Sequence, residues 1–118
     1  MERLVFPNFT YDYNEQGCRR HPIIEKQTAM IFTMNIPEQA MPEWHHPVLL
    51  GTCAKQLEEN FGHSQTLYAC NIYQFADYSR YAFTYFSEEE KHRYRDEHFP
   101  QDLANAHALG RRLVEQVK

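Results

Sequence analysis

The sequence predicts a single α/β domain built on one parallel βαβ unit, with strands near 28–33 and 66–71 and with flanking and C-terminal helices. Three observations carry this. Two short apolar runs, Thr28-Ala29-Met30-Ile31-Phe32-Thr33 and Thr66-Leu67-Tyr68-Ala69-Cys70, read as strands buried on both faces, the habit of a parallel sheet. Between them, Val48, Leu49, Cys53, Leu57 and Phe61 fall near one face of a helix. Strand, helix and strand in that order make the strands parallel and the crossover right-handed.

The elements follow from the chain in order. Met1 to about Phe6 reads as a helix end closed by Pro7, because proline cannot continue a helix interior. Residues 11–26, with Asn14, Gly17 and Pro22, read as a loop. The first strand ends at Met34-Asn35-Ile36-Pro37. Pro37, Pro42 and Pro47 make 37–47 a second loop, and Pro47 suits the first helical position. Gly62 is the stop after Phe61, and the second strand follows from Gln65 to Ile72. An aromatic segment, Ile72 to Tyr81, leads to Ser87-Glu88-Glu89-Glu90, a capping-box signature opening a charged helix to about Glu97. Phe99-Pro100-Gln101-Asp102 then begins a separate last helix, with Leu103, Ala106, Gly110, Leu113, Val114 and Val117 as its apolar stripe. Arg111, Arg112 and Lys118 lie towards its C-terminal end, where the macrodipole favours cations.

Composition sets the class. At 118 residues the chain suits one domain. Its mean hydropathy is −0.72, and no apolar run approaches the roughly 18 residues of a spanning helix. Membrane insertion is therefore not expected. Eight Tyr, eight Phe and one Trp are too many for a solvated disordered tail. Twelve Lys and Arg against sixteen Asp and Glu leave a charge of −4, so no nucleic-acid partner is expected. Cys18, Cys53 and Cys70 are odd in number and widely spaced, which points to a reducing cytoplasm rather than a disulfide framework. The first residues lack the apolar stretch of a signal peptide.

In open α/β sheets, ligands bind beyond the carboxyl ends of the strands. Two segments meet that description: Thr33-Met34-Asn35-Ile36 and Asn71-Ile72-Tyr73-Gln74-Phe75. The first offers backbone N–H groups, a hydroxyl and an amide; the second offers aromatic faces and an amide. Together they form a wall for a flat heteroaromatic ring. Aromatics at a strand end also serve simply to cap a core, and both roles stay open. No phosphate cradle accompanies the wall, since none of the four glycines belongs to a Gly-x-Gly pattern.

Other chemistries find less support. Zinc ligands on one helix need i, i+4 spacing, whereas His92 and His98 are six apart, so no metal site is expected. His45 and His46 read as loop residues at the rim of the crevice. Cys53 and Cys70 lie in apolar elements, where a free thiol is inert. The Glu88–Glu90 and Lys91–Arg95 runs read as a solvated helix face.

Four segments occur in order: Glu2-Arg3-Leu4-Val5-Phe6-Pro7, Ile31-Phe32-Thr33-Met34-Asn35, Tyr73 to Tyr81 and Phe99-Pro100-Gln101-Asp102, the last followed by Ala106, Leu109 and Gly110. In these the chain resembles the C-terminal part of flavodoxin-fold NAD(P)H-dependent FMN reductases, the flavodoxin family proteins. The resemblance runs from residue 2 to about 117. It implies a partial flavodoxin-like fold, whose full form is a five-stranded parallel sheet binding FMN at the strand carboxyl ends. Carried over by position, Thr33, Met34, Asn35 and Ile36 form the loop beside the isoalloxazine, and Tyr73, Gln74 and Tyr78 follow the last strand. The family's first strand, with its phosphate loop, and the loop after its third strand have no counterpart among these residues. The chain reads as starting inside the helix before the fourth strand.

Two functions follow as expectations. One is a flavin (FMN)-dependent oxidoreductase portion, with NAD(P)H as electron donor and no essential acid or base of its own. The other is a non-catalytic oligomerisation or partner-binding module, because two strands leave edges and an apolar face uncovered. Either needs a second copy or a separate N-terminal half.

Overall fold

The computed structural model describes residues 2–8, 11, 13–14, 17–18, 26–82 and 85–116. Met1, Pro22, Val117 and Lys118, named above, lie outside them. The chain is α/β. A short helix α1 (Glu2–Val5) runs into a 3-10 turn at Phe6–Asn8. Strands β1 (Tyr13–Asn14) and β2 (Gly17–Cys18) pair antiparallel, where the sequence predicts only loop. Two residues per strand are too few for an alternating pattern to be visible.

The central unit is β3 (Thr28–Thr33), α2 (His46–Phe61) and β4 (Ser64–Ala69). β3 and β4 are parallel and in register from Thr28 opposite Ser64 to Thr33 opposite Ala69. Phe32 and Tyr68 face each other across the ladder, with ring centroids 5.6 Å apart. The predicted second strand is corrected at its end. It stops at Ala69 rather than near 71, because Asn71 turns the chain through a left-handed φ of 53°. Asparagine tolerates that conformation better than other residues with a Cβ.

Pro47 sits in the first turn of α2, where its missing N–H costs nothing. Gly62 ends the helix with φ 113°, ψ −144°, a region open essentially only to glycine, and its N–H caps the Glu58 carbonyl at 3.0 Å. Leu57 and Phe61 are buried, while Val48 and Leu49, on the predicted apolar face, are exposed.

The largest correction concerns the C-terminal region. One continuous helix, α3 (Glu88–Glu115), replaces the two predicted helices, with Pro100 inside it. Proline removes the N–H owed to the Asp96 carbonyl and costs about 3 kcal/mol in a helix interior. Anchors on both sides of it hold the helix to the sheet. Lys91 is buried before Pro100, Leu109 is buried after it, and Arg112 donates to Gln65 of β4 at 3.0 Å. The capping prediction holds at the N-terminus, where Ser87 Oγ accepts from Glu90 N.

The strand period of two separates the faces. Thr33 and Ala69 line a cavity with α3, and Gln65 bonds Arg112, so Ile31 and Leu67 share the α3 face. Ile31 is nevertheless 53% exposed. Among the described residues neither β3 nor β4 pairs with a further strand. The radius of gyration is 18.0 Å, against about 13–14 Å for a compact chain of this size. Leu103 and Val114 of the predicted stripe are also exposed. Among the described residues no helix is long and apolar enough to cross a membrane.

Candidate functional site

The chemistry-bearing residues gather where both parallel strands end. After β3 and β4 the backbones continue to bond each other. Met34 N donates to Ala69 O at 3.0 Å, Ile72 N to Met34 O at 3.0 Å and Asn71 N to Ile36 O at 2.7 Å. Beneath them lies a small core of Ile36, Met41 and Cys70, with Met34, Tyr68 and Phe86 packed on it. The Cys70 thiol donates to Met41 Sδ at 3.4 Å. Burial pushes that thiol up, helped by Glu38 and Asp102, which keeps it protonated and unreactive.

All seven predicted site residues belong to this cluster, but in different roles. Thr33 and Tyr73 line a cavity of about 320 Å³ between the strand ends and α3. Met34 supports the core and Ile36 is buried in it, while Tyr78 is buried apart from it, edge-on to Tyr73 and Phe75. Asn35 Nδ2 donates to Gln74 Oε1 at 2.6 Å, so these two amides bond each other. Gln74 N donates to the Tyr78 hydroxyl at 2.9 Å. The predicted backbone donor of Met34 is likewise occupied by Ala69.

The other wall of the cavity comes from α3: Tyr94, Arg95, Phe99 and Asp102. The sequence reading missed this wall because it ended a helix before Pro100 and treated Lys91–Arg95 as solvated. The signal was present. Lys91, Tyr94, Arg95, Asp102 and Leu109 share one face at helical spacing once Pro100 is allowed inside.

Lys91 is 1% exposed. Its ammonium donates to Asn35 O at 2.6 Å, Asn71 Oδ1 at 2.9 Å and Ile72 O at 3.4 Å, and lies 4.6 Å from the Phe86 ring centroid. It thus ties α3 to the segments after both strands. Among the described residues no carboxylate pairs with it, and desolvation lowers its pKa.

Tyr73 sits at the rim. Its hydroxyl donates to Glu88 Oε1 at 3.0 Å and also contacts His92 Nε2. Its ring packs on His92 and edge-on to Tyr78. Desolvation, and then the hydrogen bond to the Glu88 carboxylate, push the phenol up to about 12, so it stays neutral. Tyr94 is also raised, chiefly by desolvation. His45 and His46, expected at the crevice rim, stand instead at the start of α2, outside the cavity lining. Among the described residues no group of three or more His, Cys, Asp or Glu side chains converges to hold a metal ion.

A cavity of about 320 Å³ is at the small end of ligand sites. Tyr73, Tyr94 and Phe99 give its lining aromatic carbon and Thr33 a hydroxyl, the groups a flat ring such as isoalloxazine would need. No helix N-terminus or glycine-rich turn in the lining fits the FMN phosphate. No family model matches the chain, and neither a curated protein nor a solved structure matches it.

Proposed function

We propose that the strand-end cavity holds the ring of a flavin, and that the chain is the C-terminal part of a flavodoxin-like, FMN-dependent NAD(P)H oxidoreductase. The observation that carries this reading is the aromatic cavity at the carboxyl ends of two parallel strands, the place where open α/β sheets bind ligands. Tyr94 and Phe99 supply ring faces and exclude water, and Thr33 supplies a hydroxyl at the cavity wall. Tyr73, neutral at physiological pH, closes the rim without adding charge. A bound flavin itself supplies the hydride chemistry, accepting from NADH or NADPH. The phosphate cradle then comes from a separate N-terminal half, and the edge of β3, which among the described residues pairs with no further strand than β4, suits such a partner. Free Cys53 and Cys70 suit a reducing cytoplasm.

Riboflavin, which carries the ring without the phosphate, tests the reading. Quenching of its fluorescence at tens of micromolar, weakened in Tyr94→Ala and Phe99→Ala, is the expected result. Absence of quenching over that range overturns it.

The alternative is a non-catalytic oligomerisation or partner-binding module. Exposure of Ile31 in mid-strand and of Leu103 on α3 favours it. A stable dimer by light scattering together with no riboflavin quenching would select it.

A further inference from the structure

The polar groups of the cavity are unevenly placed. The Arg95 guanidinium lies over two rings, 5.9 Å from the Tyr73 centroid and 5.7 Å from that of Phe99. Among the described residues it forms no ion pair. A guanidinium stacked on aromatic faces keeps its N–H edge free, in the planar fork that matches a carboxylate with two parallel hydrogen bonds. The nearby Glu88 carboxylate is already engaged by the Tyr73 hydroxyl, with His92 Nε2 3.8 Å away. Asp102 lies two turns further along the same face of α3, about 10 Å in axial rise. It too lines the cavity and forms no ion pair among the described residues. Between them lie the rings of Tyr94, stacked on His98 with centroids 4.1 Å apart, and of Phe99. The cavity therefore has a cationic end, an aromatic middle and an anionic end.

We propose that this cavity, read above as a flavin-ring site, also accepts a planar aromatic acid in competition with the flavin, its carboxylate held by Arg95 and a hydroxyl or N–H at its far end held by Asp102. The proposal rests on the reading of the cavity as a ring site, but not on that ring being a flavin's. Polarity at the two ends fixes the direction in which the ring enters.

The test compares a hydroxynaphthoate, with acid and hydroxyl at opposite ends of the fused rings, with its uncharged carboxamide and with naphthoate lacking the hydroxyl. Binding is read by naphthalene fluorescence. The hydroxynaphthoate is expected to bind about tenfold or more tightly than the carboxamide, as a charge-assisted pair predicts. Arg95→Gln should abolish that difference, and Arg95→Lys should restore part of it. Asp102→Ala should abolish the advantage of hydroxynaphthoate over naphthoate. Equal binding of acid and carboxamide, or a preference that survives Arg95→Gln, overturns the proposal and leaves the ring site standing. No binding of any of the three removes the ring site as well. The wild-type comparison decides even if a variant folds poorly.

Discussion

The Lys91 ammonium, in the first turn of α3, donates to the Asn71 amide oxygen at 2.9 Å, joining that helix to the left-handed residue that ends β4. With the bonds to Asn35 O and Ile72 O, one side chain holds three segments together at the candidate site. Lys91→Ala leaves those oxygens without their donor and opens a void. The expected loss is about 2–4 kcal/mol, measured by urea unfolding. Lys91→Met keeps the stem and sheds the desolvation of the charge, so it should lose less.

The same lysine makes stability depend on alkaline pH. Its folded pKa lies below the ordinary 10.5. Between the lowered value and 10.5 the unfolded chain therefore binds more protons at this group, and stability rises with pH across that window. Below the window the full cost of burying the charge is present. Unfolding free energies of wild type minus Lys91→Met, followed from neutral pH upward, should climb towards 10.5 and then level.

Tyr73 carries the opposite sign. Its phenol is raised from 10.0 to about 12, so above 10 the unfolded state loses a proton that the folded state keeps. Stability relative to Tyr73→Phe should fall as pH rises from 10 towards 12. Ultraviolet phenolate titration of the folded protein should show the step removed by Tyr73→Phe near 12.

Gly62 closes α2 at φ 113°, a conformation any Cβ strains. Gly62→Ala should cost about 1–3 kcal/mol in chemical denaturation, although it adds only a methyl group.

Pro100 interrupts the hydrogen bonding of a helix that both flanks hold in place. Pro100→Ala restores the missing donor and should raise stability by about 1–3 kcal/mol, read as a higher thermal midpoint by circular dichroism.

The two strands of the sheet and the helix between them were legible in the sequence. Each is a local pattern: an apolar run of strand length, an apolar stripe at helical spacing, a proline at entry and a glycine at exit. β3 matches its predicted span, and α2 starts only two residues before Val48. The β1–β2 pair was not legible, because two-residue strands leave no period. Nor was the unity of α3. Pro100 is a local signal to stop, and it is overridden by contacts of Lys91, Leu109 and Arg112 with residues far away in sequence.

The candidate site divides in the same way. Thr33 and Tyr73 could be named from their place after the strands, since strand direction alone sends them to the carboxyl end. The roles of Asn35, Gln74 and Tyr78 depended on partners across the loop junction, which spacing does not encode. Arg95, Phe99 and Asp102 became cavity residues only when α3 was laid unbroken along the sheet. Local propensity and hydrophobic period select the elements, because they act over a turn or a few residues. Which polar group is buried, paired or left facing a cavity is decided by packing between elements, where desolvation and hydrogen-bond geometry outweigh local preference.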